Sequence, residues 1–197
     1  HADGSFFEGE FISDIKCNGF GKQVHANGAC YEGEFKHGER HGKGKYTWND
    51  GVEYEGDWVK DKRCGNGITR TYRRKEHDGT LFVEYGYEGE WKDSKKHGHG
   101  VWKYSKEYAN GTIKVYQSYD GEWYNDKKHG HGKFSVLEHV TEGEFVEGKF
   151  SGTGNVRYTH KKGVYEGNVN NFVCQYDTPQ DKKALKKVND EEAGSTG

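Results

Sequence analysis

Pairs of carboxylates recur along this chain at a spacing that could support acid–base chemistry. Glu32 and Glu34 are separated by one residue, and so are Asp120 and Glu122. Side chains at positions i and i+2 of a β-strand lie on the same face, so each pair would place two carboxylates side by side. Two such groups can divide the roles of general acid and general base. Considered alone, each pair is therefore a candidate catalytic site.

The repetition of these pairs favours a structural role. The acid-Gly-acid arrangement occurs throughout the chain, and a group present in every repeat is rarely a unique catalytic residue. Lys43 and Lys45 follow the first pair, and Lys133 follows the second, at distances that a paired strand would bring opposite the acids. We therefore expect a solvated cross-strand charge ladder, in which opposite charges on neighbouring strands stabilise the sheet.

Histidines also occur at spacings that resemble those of metal ligands. His97 and His99 are two residues apart, as are His129 and His131. Each pair would supply two ligands, whereas a zinc site needs three or four, and no cysteine recurs beside them. His41 has the same position in its repeat as His97 and His129. A structural role at a turn is therefore expected, and no metal site is predicted.

Four neighbouring basic residues form a candidate phosphate-binding site, namely Arg70, Arg73, Arg74 and Lys75. The alternative is a solvated strand face. The 30 basic and 32 acidic residues are well interspersed and give a net charge of −2. This balance of charges argues against a nucleic-acid partner. The anionic partner that the basic cluster suggests is therefore a membrane lipid, bound weakly.

The sequence contains no local motif for catalysis or cofactor binding. A P-loop, a dinucleotide-binding glycine motif and a nucleophile–base signature are all absent. The cysteines, at positions 17, 30, 64 and 174, are far apart, so free thiols are expected. We predict no enzyme activity and no cofactor.

The elements that position these residues follow from an internal repeat. A pentapeptide of the form aromatic-acid-Gly-acid-aromatic occurs seven times with small variations, centred on Gly9, Gly33, Gly56, Gly89, Gly121, Gly143 and Gly167. A Gly-x-Gly motif follows each of the first six copies at a nearly constant distance, beginning at Gly19, Gly42, Gly65, Gly98, Gly130 and Gly152. Such phased copies are typical of a repeat architecture.

The repeat resembles the MORN repeat (membrane occupation and recognition nexus). The resemblance lies in Tyr-Glu-Gly-Glu-Trp, a short turn, His-Gly-x-Gly and an aromatic strand, and it extends over about residues 4–170. Tyr31–Trp48 and Tyr87–Tyr104 match it most closely, the third and fourth copies contain extra residues, and the seventh lacks Gly-x-Gly. The resemblance implies a cytoplasmic scaffold in a cytoskeletal, ciliary or membrane-junction assembly. Some MORN arrays accompany lipid-kinase or methyltransferase domains, and this chain is expected to be a fragment of a longer one.

The period-two pattern predicts the same architecture from physical chemistry. Tyr31, Gly33 and Phe35 would share one strand face, and Gly42, Gly44, Tyr46 and Trp48 would share that face on the next strand. Each repeat is then a β-hairpin with an aromatic–glycine face and a charged face, and each hairpin stabilises its neighbours. We predict an all-β fold, a single-layer antiparallel sheet built as a solenoid of consecutive hairpins over residues 1–176.

Two insertions lengthen adjacent hairpins, and the chain ends differently. Arg74–Val83 and Ser105–Val115 each contain a tight-turn dipeptide, so we predict two extended hairpin arms, with a contact for a partner or simple protrusion as alternatives. Residues 177–197 contain a short amphipathic pattern after Pro179. A short C-terminal capping helix followed by a disordered tail is predicted there, or else the start of a linker.

The predicted function is that of a non-catalytic scaffold or adaptor that binds a protein partner. A peptide or helix would lie in a groove on the aromatic face, anchored by the rings of Tyr46, Trp48, Trp102, Tyr104, Phe134 and Tyr158. These rings could instead serve only to stabilise the sheet. Binding of phosphoinositides or other phospholipids, and self-association through an open sheet edge, are the alternative functions.

Overall fold

The computed structural model describes residues 6–12, 15–75, 78–79, 81–108, 110–136, 139–160 and 163–169. The thirteen β-strands in these residues are β1 Phe6–Ile12, β2 Ile15–Val24, β3 Cys30–Lys36, β4 Glu39–Thr47, β5 Glu53–Val59, β6 Lys62–Arg74, β7 Leu81–Lys92, β8 Lys95–Glu107, β9 Ile113–Tyr124, β10 Lys127–Val136, β11 His139–Val146, β12 Lys149–His160 and β13 Gly163–Val169.

The strands form one sheet in which the spatial order equals the order in the sequence, from β1 to β13. Every neighbouring pair is antiparallel, so each connection is a hairpin. Substantial contacts in the described residues run only between consecutive strands. The prediction of an all-β, single-layer array of hairpins is therefore confirmed. The predicted C-terminal helix and tail lie outside the described residues.

Paired glycines align the two strands of each repeat. Gly33 of β3 lies directly opposite Gly44 of β4, and Gly89 of β7 lies opposite Gly100 of β8. A Cβ atom added to Gly33 would lie 2.6 Å from the carbonyl oxygen of Lys43. The backbones approach too closely at this point for any side chain.

A bulge follows each glycine pair. The register moves from Gly33 opposite Gly44 to Phe35 opposite Arg40, so β4 contains two additional residues there. Gly42 lies in the bulge with φ 59°, and a Cβ atom on it would lie 2.5 Å from the carboxyl carbon of Glu34. Against β5 the period of two is kept, because Gly42, Gly44 and Tyr46 lie opposite Trp58, Gly56 and Tyr54. The bulge affects only the side of Gly42 that faces β3, where its positive φ leaves room for the Glu34 carboxylate.

The turns that join the two strands of a repeat contain two residues with positive φ. The pairs are His37–Gly38, Lys60–Asp61, Asp93–Ser94, Asn125–Asp126 and Glu147–Gly148. Two left-handed residues define a type I′ turn, whose twist matches that of the flanking strands. Only two of the five turns contain glycine, so most of them carry no strong turn signal in the sequence.

The core consists of aromatic rings that lie on the paired glycines. Four tyrosines are at most 1% exposed, namely Tyr31, Tyr54, Tyr87 and Tyr119. The Tyr31 hydroxyl donates a hydrogen bond to the carbonyl oxygen of Glu34 in its own strand, at 2.8 Å, and the other three tyrosines repeat this bond at 2.9–3.0 Å. Each of these tyrosine side chains is therefore held by a hydrogen bond to the backbone of its own strand.

A second row of rings joins each repeat to the preceding one. Trp58 packs edge-to-face against Tyr31 with 5.3 Å between ring centroids, and its indole N–H donates to the carbonyl oxygen of Gly44 at 3.1 Å. Trp91 and Trp123 make the equivalent contacts one and two repeats further on. Edge-to-face pairs of this kind contribute about 0.5–1.5 kcal/mol beyond their buried area. Equivalent pairs also occur within single strands, such as Tyr54 with Trp58 at 5.2 Å, so the rings stabilise a hairpin and also join it to the next.

The two insertions form long hairpin arms, as predicted. The β6–β7 ladder continues to Arg74 opposite Leu81, and the β8–β9 ladder continues to Glu107 opposite Ile113. The β7–β8 ladder, in contrast, begins at Tyr85 opposite Tyr104. No ladder pair joins residues 81–84 to residues 105–107, so the two arms separate beyond the body of the sheet.

Candidate interaction surfaces

In four of the repeats, a basic side chain from the second strand covers the aromatic face. The guanidinium carbon of Arg40 lies 4.5 Å from the centroid of Trp58, and that of Arg63 lies 4.4 Å from Trp91. The ammonium group of Lys96 lies 4.8 Å from Trp123. These are cation–π distances. The rings beneath them are shielded from any partner.

Each of these cations is also anchored to the turn of the following repeat. Arg40 Nε lies 2.8 Å from Asp61 Oδ1, and Arg63 Nη2 donates to the carbonyl oxygen of Ser94 at 2.7 Å. The backbone N–H of Lys96 donates to Asp126 Oδ1 at 2.9 Å. We name Arg40, Arg63, Lys96 and Lys128 the cation column. Sequence reasoning missed this column, although a base two residues after four of the five turns was its visible signal. After the fifth turn, Phe150 holds the corresponding position.

Burial shifts the pKa values of the core tyrosines and of two members of the cation column. It raises the pKa of the Tyr31, Tyr54, Tyr87 and Tyr119 hydroxyls well above the usual range. It lowers the pKa of the Arg63 guanidinium and of the Lys96 ammonium group. The tyrosines are therefore neutral hydrogen-bond donors at neutral pH, which is the state that their bonds to backbone carbonyls require.

The predicted anchor Phe134 does not lie on an open surface. Its side chain is 4% exposed, and the Lys128 ammonium group lies 3.7 Å from its ring centroid. The prediction of an exposed ring at this position is wrong because the cation column covers it. The side chain of Tyr158 lies outside the part of the molecule that the structure describes.

Tyr46 on β4 and Trp48, which follows the end of that strand, form one partly exposed pair. Their ring centroids are 4.7 Å apart, and Tyr46 also lies 6.2 Å from the Trp58 ring. Both side chains are half-buried against the core. A partner could therefore reach only part of each ring.

A larger group of rings lies where the two arms leave the sheet. Tyr85 and Tyr104 stack with 4.7 Å between centroids and 12° between ring planes, and Tyr116 packs edge-to-face on Tyr104 at 5.7 Å. Trp102 precedes Tyr104 on the same face and is half-buried. Tyr85 is 41% exposed. We name Tyr85, Trp102, Tyr104 and Tyr116 the ring patch.

The two ring groups are not continuous. The strand between them, β6, has Thr69 and Thr71 at the positions that correspond to Trp102 and Tyr104 in the next repeat. Thr69 lies opposite Tyr87, and Thr71 lies opposite Tyr85. The single groove predicted on this face is thus divided into separate surfaces.

A depression of about 1040 Å³ lies on the opposite, charged face. Its lining includes Lys43 and Lys45 on β4, Glu55 on β5, Arg70 on β6 and Glu88 on β7. Ion pairs join Lys45 to Glu53 at 2.8 Å and Arg70 to Glu55 at 3.3 Å. The predicted cross-strand charge ladder is therefore present, and the face that carries it is concave at this place.

The first and the second acid of the repeated pentapeptide make different contacts. Glu34 Oε1 accepts the backbone N–H of Lys43 at 2.8 Å, and Glu90 Oε1 accepts that of His99 at 2.9 Å. Asp57 repeats the arrangement with Asn66 at 3.0 Å. The second acid thus caps the bulge, while the first acid faces the neighbouring strand. This division gives a structural reason for the recurrence of a carboxylate at the second position.

The basic cluster is already engaged with protein acceptors. Arg70 pairs with Glu55, and Arg73 Nε lies 2.8 Å from Glu84 Oε1. The Nη1 group of Arg74 donates to the carbonyl oxygen of Gly79 at 3.2 Å. Three of the four candidate phosphate ligands therefore have partners within the chain.

The histidine pairs are separated by their bulges. His99 Nε2 lies 3.1 Å from Asp120 Oδ1 on the charged face, whereas the His97 ring contacts Tyr124, with 5.1 Å between centroids. His129 contacts Tyr124 from the next strand at 5.6 Å. No group of three or more metal-ligating side chains occurs in the described residues. Cys30 and Cys64 are free thiols, as predicted.

Comparison with known proteins gives one family. The family model described as MORN repeat matches residues 7–30, 31–53, 54–70, 87–106, 119–135 and 142–159, which together make up more than half of the chain. A search of curated proteins gives no match. Within the part of the chain that the structure describes, no helix has the length and apolarity needed to cross a membrane.

Proposed function

Because the chain belongs to the MORN-repeat family, a class of repeat scaffolds rather than of enzymes, we propose that it is a non-catalytic scaffold that binds a protein partner. The ring patch is the proposed contact surface. Trp and Tyr dominate binding energies at protein interfaces because they bury a large area at a small entropic cost.

The distribution of exposed apolar side chains carries this proposal. Half of the large hydrophobic side chains that are exposed in the described residues belong to the arms, namely Tyr72, Val83, Tyr85, Tyr108 and Val115. Isolated exposed apolar residues are normal on a protein surface, whereas a concentration of them marks an interaction site. Tyr85 belongs to the ring patch, where it stacks on Tyr104. Tyr72, whose hydroxyl donates to Glu53, and Val83 opposite it lie towards the charged face instead.

The test compares two double variants in affinity capture followed by mass spectrometry. Trp102→Ala with Tyr104→Ala removes the centre of the ring patch and should reduce recovery of the partner at least about tenfold, as expected for interface hot spots. Thr69→Ala with Thr71→Ala changes the corresponding positions of the preceding repeat and serves as the matched control. Unchanged recovery by the ring variant, with thermal unfolding showing that it is folded, would refute the role of the ring patch.

The location and the alternative functions need experiments of their own. Imaging of the tagged protein would test the cytoplasmic, cytoskeletal or ciliary location that the family resemblance implies. Flotation with phosphoinositide vesicles would test lipid binding. We rank it lower because Arg70, Arg73 and Arg74 are already paired. Sedimentation over a concentration series would test self-association.

A further inference from the structure

The charged face contains a row of directly opposed residues in which acids and bases alternate across the strands. On one side of its centre the row consists of Lys22, Glu32, Lys45 and Glu55. On the other side it consists of Asp120, Lys133 and Glu142. Neighbouring members lie one strand spacing apart, about 4.8 Å, so each acid has a base beside it.

The alternation breaks at the centre of the row. Ile68 and Val101 hold the two positions where the neighbouring repeats have lysine, and Glu88 lies directly between them. Glu88 is thus the one carboxylate of this row, from Glu32 to Glu142, that has an apolar residue on both sides. In the described side chains, neither Glu88 nor Lys103, which lies diagonally across β8, takes part in an ion pair.

This break lies within the 1040 Å³ depression, whose lining includes Ile68, Glu88 and Val101. The bases that line the same depression are engaged elsewhere. Lys43 Nζ lies 2.6 Å from Asp57 Oδ1, and Lys45 and Arg70 pair with Glu53 and Glu55.

Three carboxylates that line the depression, Glu32, Glu88 and Glu90, take part in no ion pair among the described side chains. Glu32 has a lysine directly opposite on both sides, and Glu90 accepts the backbone N–H of His99. Glu88 has neither, and the residue on each side of it is apolar.

We infer that Glu88 is the binding site for an arginine side chain of a partner protein, inserted between apolar residues of the same partner segment. A guanidinium group forms two parallel hydrogen bonds with a carboxylate, which a compact ammonium group cannot do. The aliphatic stem of the arginine and its apolar neighbours pack on Ile68 and Val101. This inference rests on the proposed scaffold function, because it names the chemistry of one segment that the scaffold binds.

The charge pattern of the row specifies this occupant. A segment that places a negative charge directly beside Glu88 would be repelled by that carboxylate, and a wholly apolar segment would bury Glu88 without a partner. The absence of lysine at positions 68 and 101 leaves Glu88 open to a partner, because a lysine at either position would neutralise Glu88 from within the chain. The arginine of the partner supplies the positive charge that lysines supply elsewhere in the row.

The test is a titration of the isotopically labelled chain followed by amide NMR. The probe is the capped tripeptide acetyl-Leu-Arg-Leu-amide, and the comparison peptide contains citrulline, which has the shape of arginine without its charge. The arginine peptide should shift the amides around Ile68, Glu88 and Val101 in a saturable manner. Equal shifts with the citrulline peptide, or no shifts at these positions, would overturn the inference.

Three variants distinguish binding of the arginine peptide at Glu88 from non-specific attraction to the charged surface. Glu88→Gln should weaken binding of the arginine peptide about fivefold, the upper end of the range for an exposed ion pair. Ile68→Lys with Val101→Lys restores the alternation and should abolish binding while leaving the fold intact. Glu142→Gln, a row member with Lys133 beside it, should bind the peptide like the unchanged chain.

The two proposals can fail separately. If the unchanged chain recovers a protein partner and Glu88→Gln recovers the same amount, the arginine site is refuted and the scaffold function stands. If the peptide binds at Glu88 but the unchanged chain recovers no partner, the scaffold function is refuted instead.

Discussion

At the scale of single residues, the glycine pairs are required by the rings that lie on them. A Cβ atom on Gly100 would lie 2.5 Å from Cε2 and Cζ of Tyr87, which is closer than a real contact allows. Tyr87 cannot move away, because its hydroxyl is bonded to the carbonyl oxygen of Glu90 and its ring packs against Trp91 and Trp123. The absence of a side chain at Gly100 is therefore a packing requirement.

Gly100→Ala should destabilise the chain by about 1–3 kcal/mol, as overpacking in a filled core does. Gly86→Ala is the matched control, because Gly86 lies on the adjacent strand and a Cβ atom there would meet its nearest neighbours at 3.4 Å. Urea unfolding of both variants measures the difference. Equal stability of the two variants would contradict the proposed role of the ring.

The buried tyrosines also predict a dependence of stability on pH. Their pKa values are raised in the folded chain, so the folded state retains its hydroxyl protons when the unfolded state has lost them. The unfolded pKa is about 10, so the free energy of unfolding should be constant with respect to these groups below that pH and should fall above it. Urea midpoints between about pH 8 and 11 measure the slope, and Tyr54→Phe should reduce it. A flat profile above pH 10 would rule out this coupling.

At the scale of the elements, the cation column joins each hairpin to the next one. Arg63 covers the Trp91 ring and donates to the carbonyl oxygen of Ser94 in the following turn. The backbone N–H of Ser94 donates in return to the carbonyl oxygen of Arg63 at 2.9 Å. One side chain thus connects a ring, a strand and a turn of the neighbouring repeat.

Arg63→Ala should cost about 1–2 kcal/mol, because it removes a half-buried cation–π contact and a charged hydrogen bond. Arg74→Ala removes an exposed arginine near the end of the same strand and should have an effect below about 0.5 kcal/mol. Calorimetric unfolding of both variants distinguishes them. A loss as large for Arg74→Ala would show that the charge rather than the position of Arg63 matters.

At the scale of the whole molecule, stability depends on the number of neighbours that each hairpin has. The strands make substantial contacts only with the strands before and after them, so the molecule behaves as a linear array. The ladders of the central hairpins, β6–β7 and β8–β9, contain ten residue pairs each, more than any other ladder in the described sheet. We therefore expect the centre of the array, where each strand has neighbours on both sides, to be its most stable part.

Hydrogen exchange should reflect this gradient. Amides of β6 to β9 in the body of the sheet should exchange most slowly, and protection should decrease towards β1. Exchange measured by mass spectrometry on peptic fragments gives the profile directly. Uniform protection from β1 to β9 would indicate a single cooperative unit and would contradict the linear-array description.

The family, the strand pattern and the hairpin arms could be predicted because they depend on local spacing. Tyr31, Gly33 and Phe35 alternate along one strand, and alternation alone assigns them to one face. The insertions contain turn dipeptides, so their geometry also follows from neighbouring residues. The bulge at Gly42 could not be predicted in this way, because it depends on where the partner strand regains its register.

The sequence alone determined a meander of paired strands with one aromatic and one charged face, since both properties follow from periods along the chain. Only the tertiary structure decided which parts of those faces remain open. Phe134 is buried because Lys128 from the same strand lies over its ring, and Tyr85 is exposed because the β7–β8 ladder begins at that residue. Glu88 has apolar residues on both sides because the register of three strands brings Ile68 and Val101 beside it. Exposure and pairing depend on which repeats become neighbours in space and at which register, and no single repeat contains that information.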